Sequence, residues 1–465
     1  MNNQNDDIQS SLSSQGEGDN NLSPNRIKWQ EKQTDPVTKR LLQDDAELFL
    51  KQSLSTPCLS AIKKAEGLWI EDTSGRRYMD FHGNNVHHIG YGHPRLIEAI
   101  KKQMDDLPFS PRRFTCDPAV ELARRLGEIT PGDLGRILLS TGGSDAIEMA
   151  MKLARMATRR HKTISFWDSF HGAGFGGTSV GGEELFRGNP IGPLLPGTEH
   201  VAPFACYRCP YGHEDREGIA NHELCGLACA NMIKYVLEKE GDVSAVIAEP
   251  VRAVPYIPPP GFWQSVRKAC NDAGTLLIFD EIPNGLGKTG RMFSCEHFDV
   301  VPDILVCGKS LGGGILPIAA MIAHPDLDIA GEKSIGHYTH EKNPVTCRAA
   351  LTTIQIIQDE NLVENAATVG TYALERLHEM KERQDIIGDV RGLGLVMGIE
   401  IVAGSGDKTP NSLAADRILY RCLENGLSFK NSMGNVLTLY PPLITTKSDI
   451  DHAFSIIEDA ISSES

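Results

Sequence analysis

Between Arg136 and Gly308 five short apolar or β-branched runs recur, RILLST, KTISFW, SAVIAEPV, TLLIFDE and PDILVCG, separated by stretches of helical period such as DAIEMAMKLARMATRRH. Runs this apolar bury both faces of a strand, and helices between them are the natural crossovers joining parallel neighbours. The alternation predicts an α/β fold with a mostly parallel sheet covered by helices on both faces. Such sheets bind their ligands at the carboxyl ends of the strands, so the residues just after each run carry the chemistry.

The flanks of this region read differently. Residues 1–25 are rich in Asn, Gln, Ser and Asp and read as a disordered tail, unable to bury enough surface to offset the entropy of ordering. GLWIEDTSGRRYMDF (Gly67 to Phe81) reads as an edge hairpin of two short strands around an Asp-Thr-Ser-Gly turn. Asp117 and Pro118 read as the cap and first-turn pair of the helix AVELARRLGEI. Beyond Cys347 the chain turns helical, and GDVRGLGLVMGIEIV and NVLTLYPPLITT supply strands of a C-terminal lobe. The expected division is therefore a tail over 1–25, a first part of a small lobe over 26–90, a large domain over 91–346 and a small domain over 347–465.

Composition excludes several classes of function. A formal net charge of −15 argues against nucleic acid as a partner. No run approaches the roughly 18 apolar residues of a membrane span, and the N-terminus lacks the basic-then-apolar order of a signal peptide. A cytoplasmic enzyme is expected, with the 11 scattered cysteines reduced. Cys206, Cys209, Cys225 and Cys229 have a spacing compatible with zinc, but they fall in a polar insertion away from the strand ends of interest and read as loop residues ahead of zinc ligands. No metal is expected in the active site.

Two glycine patterns imitate nucleotide motifs. HGAGFGG (His171 to Gly177) satisfies G-x-G-x-x-G without the βαβ context, and GKS at Gly308 to Ser310 has Asp303 where a Walker loop needs glycine. Four other features cohere. Asp280 ends an apolar strand, where a buried carboxylate requires a cationic partner. Lys309 follows the strand DILVC and precedes the loose segment SLGGG, so its amine can be desolvated into a nucleophile for an aldehyde. STGGSDA (Ser140 to Ala146) is a glycine-rich turn opening a long helix, suited to a phosphate. Phe170, after the strand TISFW, can stack on a planar ring. Taken singly, Asp280 and Lys309 also read as a structural ion pair, Phe170 as a core aromatic and the glycines as turns. Jointly they describe a site for pyridoxal 5′-phosphate.

The ordered motifs G-G-S-D-A, F-H-G, A-E-P-V, F-D-E, K-S-L-G-G-G, T-H-E-K-N-P and Y-P-P-L, spread over about residues 35–460, resemble the class III (ω-amino acid) aminotransferase family of PLP fold type I. The resemblance implies a large PLP-binding domain with a smaller α/β lobe from both chain ends. It implies that Lys309 forms an imine with the cofactor and that Asp280 faces the pyridine nitrogen. Gly143 and Ser144 would bind the phosphate, Phe170 would stack on the ring, and Thr339 would reach the phosphate of a neighbouring subunit in a homodimer with shared sites.

Three departures narrow the substrate. Members that take amino acids carry an arginine where this chain has Thr438, and a glutamate that masks it where this chain has Val254. Without that planar fork an α-carboxylate loses its best partner. Pro283 also replaces the glutamine of D-E-x-Q. GNNVHHIGYGHP (Gly83 to Pro94) and SPRRFTCD (Ser110 to Asp117) are similar to segments of the phospholyase and ammonia-lyase branch of the family, which eliminates from phosphoethanolamine-like amines and aminophosphonates. By that resemblance Asn84, Asn85 and Arg113 are substrate-binding candidates, with Arg112 and Arg252 as further cations. Arg112 and Arg113 also suit a solvated approach to a helix. The expected activity is ammonia-lyase chemistry on a small aminophosphonate. Transamination of amines lacking an α-carboxylate and phosphoethanolamine phospholysis are the alternatives.

Overall fold

In a computed structural model of the chain, residues 16, 18, 23–188, 190–213 and 224–464 are described. Most of the segment read as a disordered tail lies outside the described residues. A helix begins at Pro24 and runs to Gln33, its first turn capped by the Ser23 hydroxyl, which accepts the Arg26 N–H at 3.0 Å.

The chain forms two compact units, and the larger comprises Asn85–His88 and Pro94–Glu364. It continues past residue 346 because the helix Pro344–Asp359 packs on the helices Pro94–Asp106 and Asp117–Ile129. In the last of these helices Asp117 is not the cap. Cys116 holds that position in extended backbone, and Asp117 is the first helical residue, with its carboxylate in the turn that the helix dipole makes favourable.

The larger unit is built on a seven-stranded sheet of β1 (Arg136–Ser140), β2 (Lys162–Phe166), β3 (Thr198–Val201), β4 (Val243–Ala248), β5 (Leu276–Asp280), β6 (Ile304–Cys307) and β7 (Ala319–Ala323). Their order is β1-β7-β6-β5-β4-β2-β3. Only β7 is antiparallel, pairing with β1 and β6 on either side, so β1 points the same way as the other five. All five runs read from the sequence are strands. The two unanticipated strands lack the pattern: β7 is AAMIA, too small in its side chains to signal a strand, and β3 is the polar TEHV.

Side-chain alternation sorts the two faces. Ala245 and Ile247 of β4, Ile278 of β5, and Ile304 and Val306 of β6 meet Ile147, Ala150 and Leu153 of helix α1 (Gly143–Thr158) in one buried cluster. Asp280 has the parity of Ile278, so it projects on the α1 side. On the opposite face Phe279 meets Trp263 of helix α2 (Phe262–Ala273) at 4.7 Å, and Phe166, Phe204 and Phe262 complete an aromatic cluster. The Trp263 indole N–H is satisfied by the Pro250 carbonyl at 2.9 Å.

The smaller unit takes Met1–Asn84, Ile89–His93 and Asn365–Ser465, hence both chain ends. One of its sheets joins Ile62–Glu66, Trp69–Asp72, Arg77–Asp80 and Leu427–Ser428 in that order. The hairpin read as an edge is therefore interior. Its flanks are a fully exposed strand, IKKAE, with no apolar alternation, and a two-residue strand from far along the sequence, neither of which has a local signature. The second sheet orders Ile387–Leu393, Val396–Gly404, Val436–Leu439 and Lys430–Ser432. Within NVLTLYPPLITT only Val436–Leu439 is strand, and Pro441 and Pro442 follow its end, lacking the N–H groups a ladder needs. Among the described residues no helix is long and apolar enough to cross a membrane.

Trp263 is fully buried and joins α2 to the sheet. Trp263→Ala should destabilise the larger unit by roughly 3–5 kcal/mol, read as a lower urea midpoint followed by tryptophan-independent circular dichroism. An unchanged midpoint would contradict this account of the core.

Candidate active site

Because β1, β2, β5 and β6 run in one direction, Ser140, Phe166, Asp280 and Cys307 finish at one edge of the sheet. The sequence-derived site residues of the larger unit follow from these ends. After β1 the chain turns through Thr141 and Gly142 into α1, and Gly142, the N-cap, makes no side-chain capping bond. The first-turn N–H groups of Gly143, Ser144 and Asp145 have no acceptor among the described residues. They sit at the positive end of a 16-residue helix. A side chain on Gly143 would begin 2.7 Å from Ile282, so the backbone here lies directly on the loop after Asp280.

The loop after β2 is fastened to this turn. Ser144 Oγ accepts the Ala173 N–H at 3.1 Å, which leaves the hydroxyl proton available. Gly172 has φ +117°, and a Cβ there would lie 2.7 Å from Ser144 Oγ, so only glycine fits. The glycines that imitated a dinucleotide motif are packing residues: Gly177 donates its N–H to Glu148 of α1 at 3.0 Å. Phe170, on the same loop, is half-buried and rests on Phe186 at 4.6 Å.

Asp280 is 2% exposed and fully engaged on the protein side. Its Oδ1 accepts the Ile282 N–H at 3.0 Å, and its Oδ2 accepts from His171 Nδ1 at 2.8 Å. The partner that the sequence reading required is thus an imidazole. Among the described residues Lys309 makes no ion pair with Asp280, so the reading of those two as a structural pair does not hold. A ring N–H answers a buried carboxylate without bringing in a second obligatory charge. His171 is itself buried, and its Nε2 has no partner among the described residues. Residue spacing gave no sign of this pairing, because 109 positions separate the two.

Lys309 is half-buried at the start of a tight turn, Lys309–Gly312, with φ +44°, a region costly for a residue with a side chain. Thr339 is exposed, beside Tyr338, whose hydroxyl donates to the carbonyl of Asp145 in the first turn of α1 at 3.4 Å.

The substrate candidates are dispersed. Asn84 is exposed and belongs to the smaller unit, whereas Asn85 is buried in the larger one; both have left-handed backbone. Arg112 donates to the His337 ring at 2.8 Å and lies 3.8 Å from Glu341. Arg252 is buried 3.5 Å from Glu249. Arg113 is exposed, with no ion pair or hydrogen bond among the described residues. Val254 is buried in the larger unit. Thr438, in the smaller unit, is also buried, and its hydroxyl donates to Val436 of its own strand at 3.3 Å. No group of three or more His, Cys, Asp or Glu side chains among the described residues is arranged to hold a metal ion, and all 11 cysteines are free thiols.

These residues fit pyridoxal 5′-phosphate. An uncapped helix end and a hydroxyl proton suit its phosphate, a buried, oriented carboxylate suits its pyridine nitrogen, and a half-buried lysine suits its aldehyde. Comparison with known proteins agrees. The class III aminotransferase family model matches residues 51–461. The (R)-1-hydroxy-2-aminoethylphosphonate ammonia-lyase of Vibrio splendidus (strain 12B01) is 46% identical over 453 residues, covering 96% of this chain and 94% of its own. The leucine/methionine racemase of Thermococcus litoralis is 34% identical, covering 91% and 95% respectively. Among solved structures, a thermostable (S)-enantioselective omega-transaminase from Thermomicrobium roseum superposes with a TM-score of 0.84 at 27% identity, covering 91% of this chain and 98% of that one. A Bacillus anthracis aminotransferase gives 0.83 at 29% identity with the same coverage. The chain belongs to the class III aminotransferase family, in the PLP fold type I, and its cofactor is pyridoxal 5′-phosphate.

Proposed function

We propose that this enzyme is an ammonia-lyase for a small aminophosphonate, with (R)-1-hydroxy-2-aminoethylphosphonate as substrate and phosphonoacetaldehyde and ammonia as products. The observation that carries the reading is the 46% identity, over 96% of the chain, to the relative named for that activity. Thr438 and Val254 support it, since they supply neither the guanidinium fork that grips an α-carboxylate nor the carboxylate that masks it.

Bound pyridoxal 5′-phosphate supplies an aldehyde that takes up the substrate's amine and a ring that withdraws electrons from the carbon bearing it. Asp280, oriented by His171, holds the proton of the ring nitrogen in this reading. Gly143 and Ser144 hold the phosphate, Phe170 covers the ring, and Thr339 serves the site of a second copy in a homodimer. Lys309 Nζ acts as the base that takes a proton from the nitrogen-bearing carbon. As an ammonium it then returns that proton to the departing hydroxyl, which leaves as water. The enamine so formed hydrolyses with one water to aldehyde and ammonia, so no second substrate is consumed. Arg113, whose guanidinium is not engaged among the described residues, meets the phosphonate, for which its planar fork is well shaped.

The test is the amino acceptor. With the hydroxy-aminophosphonate alone, ammonia and aldehyde should appear in equal amounts. A requirement for a keto-acid, with alanine or glutamate accumulating, would replace this reading by transamination, which the likeness to transaminase structures at TM-scores up to 0.84 favours. On the substrate side, Arg113→Ala should lower kcat/KM roughly ten- to a hundred-fold, the range for a hydrogen-bonded charge. Arg113→Lys should recover only part. Wild-type kinetics in Arg113→Ala would move the anchor elsewhere.

A further inference from the structure

The segment Asn85–His88 belongs to the larger unit and touches both loops of the site. His88 Nε2 lies 3.1 Å from the carbonyl oxygen of Gly285, in the loop that follows Asp280. On the other side, a side chain on Gly314, in the loop that follows Lys309, would begin 3.2 Å from the Val86 carbonyl. These two approaches fix where the His88 ring sits.

A carbonyl oxygen only accepts, so Nε2 must carry the ring proton. Burial, and after it the charges of Lys288, His87 and Lys309, holds the His88 ring well below the usual imidazole range. The ring is therefore neutral, and Nδ1 presents a bare lone pair. His88 is 1% exposed, and that nitrogen has no partner among the described residues. Asn85, 3% exposed, adds a second buried acceptor, Oδ1, likewise without a partner among them. Buried acceptors left unpaired are costly, and two on one segment beside the reacting lysine call for a donor from the ligand.

We propose that His88 Nδ1 accepts a hydrogen bond from the substrate hydroxyl on the phosphonate-bearing carbon, which makes His88 the residue that selects hydroxylated aminophosphonates. This rests on the elimination reading above. The choice of group follows from the substrate's atoms: the amine is engaged by the cofactor, and a fully ionised phosphonate offers only acceptors, which a lone pair repels. The hydroxyl is the remaining donor. It is also the leaving group, so the bond fixes the direction in which it departs. Phosphoethanolamine has no such hydroxyl, and its phosphate would meet the lone pair unfavourably.

Two amide variants separate the two ring nitrogens. A glutamine places its amide nitrogen near Nε2, so His88→Gln keeps the bond to Gly285 and loses the Nδ1 acceptor. An asparagine places its oxygen near Nδ1, so His88→Asn keeps the acceptor. Calorimetric titration of the holoenzyme with (R)-1-hydroxyethylphosphonate and with ethylphosphonate, neither of which carries the reacting amine, reads hydroxyl recognition without turnover. The wild type should bind the hydroxylated probe about ten-fold more tightly, the usual scale of one hydrogen bond with its partner otherwise unpaired. His88→Gln should lose that ratio with ethylphosphonate affinity unchanged, and His88→Asn should keep most of it. An undiminished ratio in His88→Gln, or none in the wild type, would overturn the proposal. Loss of the cofactor's visible absorbance in His88→Gln would do so too, by assigning the ring a structural role. If the wild type releases ammonia without a keto-acid yet shows no hydroxyl preference, only the His88 assignment falls. If it releases none, the elimination reading falls and this proposal with it.

Discussion

A carboxylate at the end of a buried strand must be compensated where it stands, and the way Asp280 is compensated organises the site around it. Its two oxygens are taken by the Ile282 N–H and the His171 ring, at 3.0 and 2.8 Å. That pairing holds the loop after β2 against the end of β5, and the same loop is tied to the first turn of α1 through Ser144. The first turn of α1, the buried carboxylate and the loop that carries Phe170 are thus positioned by one connected set of bonds. Losing any of these bonds would leave the Asp280 charge buried with less support.

Much of this was legible in the sequence, for physical reasons that can be named. Strands buried on both faces write themselves as apolar runs, so β1, β2, β4, β5 and β6 could be read directly, and with them the edge that carries Asp280 and Lys309. β7 could not, because AAMIA derives its strand conformation from β1 and β6 on either side. The hairpin of Gly67 to Phe81 was readable as a pair but not as the interior of a sheet, since its outer neighbours have no local pattern. The need for a partner at Asp280 followed from its burial, whereas the identity of that partner did not, because it depends on how β2 and β5 are brought together. The glycines of HGAGFGG carried a real signal, close approach of backbone, but the approach is to Ser144 and Glu148 and not to a dinucleotide.

In the proposed reading the substrate side depends on side chains that have no partner among the described residues. Arg112 and Arg252 lie against His337, Glu341 and Glu249, so the arginines offered as candidates from the sequence are not equivalent once folded. Acceptors are informative in the same way: Asn85 and His88 present buried lone pairs, which specify a donor as firmly as an arginine specifies an anion. In the proposed reading, Arg113 as an anion anchor and the two buried acceptors, without the carboxylate fork of the amino-acid enzymes, suit an amine that carries both a phosphonate and a hydroxyl.

The central claim is that the substrate's nitrogen leaves as ammonia and is never stored on the cofactor. Visible absorbance of the holoenzyme, mixed with less than one equivalent of the hydroxy-aminophosphonate and no keto-acid, tests it most directly. Elimination predicts a transient change followed by full return of the original spectrum as ammonia is released. Permanent loss of the visible band in proportion to the amine added, with no free ammonia, would mean that the cofactor keeps the nitrogen and would contradict the account.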